Sequence, residues 1–215
     1  MGLDKILEVE KKLKEEIDKT YIDEVNSAIS AFGSMIDLED LEAQGISPIY
    51  TSSPITTGLL MYKQFGKYNV KTMEELIGIN PNVRKELMNQ NIQEGIRFGQ
   101  EIRKRGFPIV ITPGIFFAKG WAQEHYMSLW KSVIVDKASI VVYDDNFHYS
   151  DGCAEEFLIG LQYNKELRSR KGFEIINPKD EIPKFEEAIT QIERKIGQIP
   201  KKLYNSYTEI VKLLE

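Results

Sequence analysis

Cysteine and histidine are nearly missing from this 215-residue chain, which carries only Cys153, His125 and His148. One thiol excludes an internal disulfide and any multi-thiolate site, and two imidazoles exclude a histidine-rich metal centre. Long apolar runs are absent as well, and none approaches the roughly 18 residues of a membrane-spanning helix. A basic surplus is also lacking. The 28 Lys and Arg face 33 Asp and Glu, a net charge of -5, which argues against a partner that is a nucleic-acid polymer. The N-terminal stretch MGLDKILEVEKKLKEE is charged throughout, unlike a secretory or transit leader. These absences leave the expectation of a cytoplasmic protein of one large domain, with a hydrophobic fraction of 42% to build its core.

What is present is unevenly placed. Residues 1–45 hold 12 acidic and 5 basic residues, whereas the remainder carries a net charge of +2. That contrast marks a boundary near Gly45. Leu3, Ile6, Val9, Leu13, Ile17, Tyr21, Val25, Ile29 and Phe32 recur at three- and four-residue spacings, the stripe of one long amphipathic helix over 3–32. Such a helix suits packing on its own domain or a dimerisation arm. The expected organisation is a helical appendage over 1–45, an α/β domain over 46–180, and C-terminal helices over 181–215 that pack on that domain or on a partner subunit.

Within the α/β segment, short apolar runs predict strands at Ile49–Ser52, Pro108–Thr112, Ser139–Tyr143 and Phe173–Ile176. Helical patterns fall between them at 82–105, 121–135 and 152–167, and follow them at 183–196 and 201–214. Residues 59–80 read as irregular apart from a short helix near 73–77. Alternating strands and helices predict a four- or five-stranded parallel sheet in a three-layer α/β/α arrangement of Rossmann or flavodoxin type, with extra helices at both termini.

In such sheets ligands bind beyond the carboxyl ends of the strands. Three of those ends are rich in functional groups: Tyr50 followed by Ser52, Ser53, Pro54 and Thr56; Pro113 followed by Phe116 and Phe117; and Asp144, Asp145 and the segment Ser150-Asp151-Gly152-Cys153-Ala154-Glu155-Glu156. The last opens a helix, whose free amide groups favour an anion. Glu155 and Glu156 point about 100° apart on a helix, so only one can face the crevice. Read alone, the acids also suit capping and dipole roles. Cys153 reads as a small packing residue and His148 as a solvated loop residue.

The ordered set of strand, Asp, loop, Ser-x-Gly-small-small-x-Glu and apolar helix resembles the nucleoside 2-deoxyribosyltransferase superfamily, which includes deoxynucleoside 5′-monophosphate N-glycosidases. Ile49-Tyr50-Thr51-Ser52-Ser53-Pro54 resembles its first-strand motif, and Gly106-Phe107-Pro108-Ile109-Val110-Ile111-Thr112-Pro113 its second strand. The resemblance spans roughly 48–177. It implies cleavage or exchange of an N-glycosidic bond in a nucleoside or its 5′-monophosphate, with no cofactor and no metal, in a homo-oligomer. It implies Glu156 as nucleophile, Tyr50 as the residue orienting it, and Asp144 or Asp145 as the acid near the base. It also implies Ser150 as a phosphate contact; by residue type, Phe116 and Phe117 suit stacking on a base and Ser52, Ser53 and Thr56 suit holding a phosphate or ribose hydroxyls, with Pro54, Pro113 and Gly152 completing the expected substrate-binding set. The stretch Trp130-Lys131-Ser132-Val133 lacks an acid that the family often carries there. The alternative reading is a non-catalytic nucleotide-binding or sensing module on the same fold.

Overall fold

A computed structural model describes residues 19, 22–31 and 38–215. Four strands, β1 (Ile49–Ser52), β2 (Val110–Ile111), β3 (Ile140–Tyr143) and β4 (Glu166–Ser169), form one sheet in the order β2-β1-β3-β4. Every pairing between them is parallel; β1 sits between β2 and β3, with Tyr50 level with Ile111 and Val141. The helices are α1 (Leu38–Ala43), α2 (Leu59–Tyr68), α3 (Met73–Ile79), α4 (Val83–Lys104), α5 (Gln123–Lys137), α6 (Asp151–Gln162), α7 (Pro178–Ile196) and α8 (Lys201–Leu214). Short 3-10 turns cover Pro113–Ile115 and Phe147–Tyr149. The architecture is three-layer α/β/α, as the alternation of patterns predicts. No helix among the described residues is long and apolar enough to cross a membrane.

Side chains alternate across a strand, so each strand serves two cores. Ile49, Val110, Ile140 and Val142 pack with Phe98 and Ile102 of α4 on one face. Tyr50, Ile111, Val141, Tyr143 and Leu167 point to the other face, where α5, α6, α7 and α8 contribute Trp130, Phe157, Phe185 and Leu203. The C-terminal helices thus belong to the main core. Residues 22–31 are helical; Val25 is buried and Ala28 and Ile29 pack on the same core. The rest of the helix expected over 3–32, Lys19 apart, lies outside the described residues.

Four local expectations are corrected. Helix α6 stops at Gln162 rather than running to 167, and the fourth strand is Glu166–Ser169, not Phe173–Ile176. Asn164 adopts a left-handed φ of 51°, which turns the chain, and a Cβ on Gly160 would stand 2.7 Å from Leu167, which packs there. Because β4 lies at the sheet edge, only Leu167 is buried on it, and no apolar run marks it. Phe173 has φ 62°, and the segment after it folds back, with Ile175 bridging Arg168 in antiparallel fashion. Residues 59–68 are helical rather than irregular; Tyr62 and Phe65 anchor α2, and Asn69 ends it at φ 52°. Helix α7 begins at Pro178, ahead of the expected 183, because Asn177 caps it by accepting from the Lys179 amide.

Phe185 of α7 is fully buried among Phe147, His148 and Phe157. Phe185→Ala is expected to lower unfolding free energy by about 3–5 kcal/mol in urea denaturation. A loss below about 1 kcal/mol would contradict the inclusion of α7 in the core.

Candidate functional site

The site is built outward from one carboxyl group. Ser150 caps α6 by accepting from the Cys153 amide at 3.4 Å, which fixes the rotation of the helix below it. Of the two adjacent glutamates, Glu156 turns inward and is only 6% exposed. Tyr50 and Ser52 lie two residues apart on β1 and so share the face toward α6. The Tyr50 phenol donates to Glu156 Oε1 at 2.5 Å and the Ser52 hydroxyl donates to Oε2 at 2.6 Å. Thr51, between them, faces the other way and donates to the Ile111 carbonyl at 3.2 Å. Tyr143 donates to the Glu156 backbone carbonyl at 3.1 Å, which holds the helix against the sheet.

Burial drives the Glu156 pKa up, the hydroxyls of Ser52 and Tyr50 pull it back, and the result is about 7. The carboxyl is therefore close to half ionised near neutrality. Burial, and then the neighbouring Glu156 charge, raise the Tyr50 phenol well above its ordinary value, so it stays a proton donor. The buried Cys153 thiol is pushed up for the same first reason and stays protonated.

Glu156 opens onto a cavity of about 480 Å³ beyond the carboxyl ends of β1 and β2. Ser53 and Thr56 line it after β1, Pro113, Phe116 and Phe117 line it after β2, and Ser150 and Gly152 line it at the start of α6. Eight of the residues singled out in the sequence, Glu156 among them, thus meet in one chamber. Phe116 packs at ring-centroid distances of 5.6 Å from Trp121 and 5.7 Å from Trp130, giving an aromatic wall, while Phe117 is 81% exposed at the mouth. Tyr50 and Ser52 stand behind Glu156. Ser52, expected as a substrate contact, is engaged with the carboxylate.

Other expected residues are placed elsewhere. Tyr143 points toward α6, so the next residue, Asp144, points toward α4, where Arg170 meets it at 3.0 Å. The same guanidinium binds Glu94 and Glu101, each at 2.8 Å, and lies over the Phe98 ring. Asp145 is exposed, its amide donating to Asp144. Neither aspartate lines the Glu156 cavity, so the structure does not bring the expected acid to the expected nucleophile. Pro54 faces a smaller cleft with Asn91 and Asp144. Asp151 also stays out of the Glu156 cavity; its Oδ1 is buried with no hydrogen-bond partner among the described residues, and burial raises its pKa. His148, expected in solvent, is buried and bonded to Glu181 at 2.6 Å. Burial raises the Glu181 pKa, but His148 and Lys184 outweigh it and hold the carboxyl below its usual range.

Arg84, Met88 and Ile92 of α4 and Gln123 of α5 also line the cavity, and the site reading of the sequence missed them. The four-residue spacing of the first three marks one helix face. It was legible as such, but Met88 and Ile92 read equally well as core. Among the described residues, no group of three or more His, Cys, Asp or Glu side chains is placed to hold a metal ion. No family model matches the chain, and no curated protein and no solved structure matches it.

The raised Glu156 pKa has a consequence for stability. Between the ordinary value of 4.5 and about 7 the native state binds the proton more tightly than the unfolded chain. Its contribution is thus full below 4.5 and is lost as pH rises to about 7. Wild type should therefore lose roughly 3 kcal/mol relative to Glu156→Gln across that window, measured by urea denaturation at successive pH values. A difference that stays flat with pH would contradict the burial and charge state assigned to Glu156.

Proposed function

We propose that the protein cleaves, or exchanges the base of, an N-glycosidic bond in a nucleoside or nucleotide, with Glu156 as nucleophile. The observation that carries this reading is a buried carboxyl group held by two hydroxyl donors at the wall of an aromatic-lined cavity. The sequence resemblance to the nucleoside 2-deoxyribosyltransferase superfamily supports it at the same residues, Tyr50, Ser150 and Glu156.

The geometry supports this chemistry. An N-glycosidic bond breaks through an oxocarbenium-like state, which a carboxylate stabilises and then captures as a glycosyl ester. Tyr50 and Ser52 fix both Glu156 oxygens, so the carboxylate has one orientation and no rotamer to search for. Their hydrogen bonds keep enough of it ionised near neutral pH despite burial. Phe116 and Trp121 offer aromatic surface to a base, with Trp130 buried against Phe116. Ser53, Thr56 and Ser150 offer hydroxyls to a sugar or a phosphate. Water or a second base then resolves the ester. The resemblance further implies a homo-oligomer.

Incubation with nucleosides and their 5′-monophosphates, followed by chromatography for free base, tests the reading. Release is expected, with kcat/KM rising with pH through an apparent pKa near 7, because Glu156 must be ionised to attack. Glu156→Gln should lower it about a thousandfold or more. Tyr50→Phe removes a donor to the carboxylate, so it should lower kcat/KM about tenfold and move the acid limb to higher pH. No release, with tight nucleotide binding retained, would overturn the enzyme reading in favour of a non-catalytic binding module.

A further inference from the structure

From the same cavity we infer the substrate class: a dinucleotide whose scissile bond joins ribose to a pyridinium base. The inference rests on Glu156 as nucleophile and on three independent features of the chamber.

The first is the set of proton donors facing the departing base. Glu156 is the only carboxyl group among the described residues that line the cavity. The Tyr126 hydroxyl donates to the Ala118 carbonyl and accepts from the Ala118 amide, each within hydrogen-bond distance, at 2.9 and 3.0 Å. Cys153 is buried at the start of α6. A purine or pyrimidine leaves as a poor anion unless an acid protonates it. A pyridinium base needs no acid. When its C1′–N bond breaks, the electron pair returns to the ring nitrogen and neutralises it.

The second feature is the wall. Phe116, Trp121, Tyr126 and Trp130 form a connected set of rings, with Trp121 and Tyr126 centroids 5.2 Å apart and Phe116 and Trp130 5.7 Å apart. Aromatic faces attract a cationic ring, and a carboxylate at the same wall adds to the attraction.

The third is length. Gly95 of α4 abuts the loop after β1, since a Cβ there would come within 2.8 Å of Ser53 Oγ. Arg84 lies eleven residues earlier on the same helix, about 16 Å further along its axis at 1.5 Å per residue. It lines the mouth of the cavity, is exposed, and has no ion-pair partner among the described residues. A single phosphate on a sugar at Glu156 covers less of the distance to that guanidinium than a diphosphate bridge covers. A diphosphate bridge does extend toward it, and exposed Phe117 then offers a surface for the second base.

The reaction balances with water as the only co-reactant. The Glu156 carboxylate forms an ester bond to C1′ as the C1′–N bond breaks and neutral pyridine base departs. Water then attacks C1′, Glu156 leaves as carboxylate, and the proton of water passes to solvent.

The test supplies oxidised nicotinamide adenine dinucleotide, its reduced form, nicotinamide mononucleotide, adenosine and adenosine 5′-monophosphate to wild type and to Arg84→Ala, with free base quantified by chromatography. Nicotinamide release from the oxidised dinucleotide is expected to exceed release from the mononucleotide. The reduced form, whose ring is uncharged, should stay intact. Arg84→Ala should cost about tenfold in kcat/KM on the dinucleotide, through KM, and distinctly less on the mononucleotide. Release from adenosine or its monophosphate but not from the pyridinium nucleotides would overturn the inference while leaving the proposed function standing. Equal losses on both pyridinium substrates would overturn the role of Arg84. No free base from any compound would overturn the inference and the function together.

Discussion

The contact between Glu156 and the two hydroxyls of β1 is the constraint around which the rest is arranged. A carboxyl group in an apolar interior is costly unless its oxygens are satisfied. Here Tyr50 and Ser52 satisfy one oxygen each. That requires β1 to lie inside the sheet, α6 to cross its carboxyl end in one rotational setting, and Ser150 to fix that setting by capping the helix. The outcome is a carboxyl with a pKa of about 7. It is neither a surface carboxylate nor a permanently neutral acid. Under the proposed chemistry this is the useful state, ionised enough to attack and poorly enough solvated to react.

Strand alternation decides which of the candidate groups can work together. Tyr50 and Ser52 share a face, whereas Thr51 does not. By the same rule, Tyr143 packs toward α6 while Asp144 turns to α4, where Arg170 gathers it with Glu94 and Glu101. The aspartates at the end of β3 are near Glu156 in sequence order and in sheet order, yet Asp144 joins an ion network on the opposite face and Asp145 is exposed. A chamber with one carboxyl among its described lining residues is the consequence, and it favours a leaving group that departs without protonation.

Much of the sheet was legible because three strands are buried on both faces and read as apolar runs. Ile49–Ser52 and Ser139–Tyr143 needed little more than that. The edge strand was not legible, since Glu166-Leu167-Arg168-Ser169 buries one side chain and resembles a loop, while the more apolar Phe173–Ile176 competed for the assignment. The clustering of Ser53, Thr56, Pro113, Phe116, Phe117, Ser150, Gly152 and Glu156 was legible from topology, because parallel strands deliver all their carboxyl ends to one side. The side of the sheet to which Asp144 points needed a strand register, and the contribution of Arg84 needed the reach of α4 beyond the carboxyl ends of the strands. Neither is a property of local sequence. His148 was misread because its partner, Glu181, is supplied by a helix thirty-three residues away.

The central claim is that Glu156 carries the sugar during turnover. Mass spectrometry of the protein quenched after incubation with a 2-fluorinated analogue of the cleaved substrate tests it most directly, since the fluorine slows hydrolysis of a glycosyl ester. The account predicts a peptide containing Glu156 that is heavier by one fluoroglycosyl residue, formed as base is released. Release of base from the analogue with that peptide unmodified, or with the mass on another residue, would contradict it.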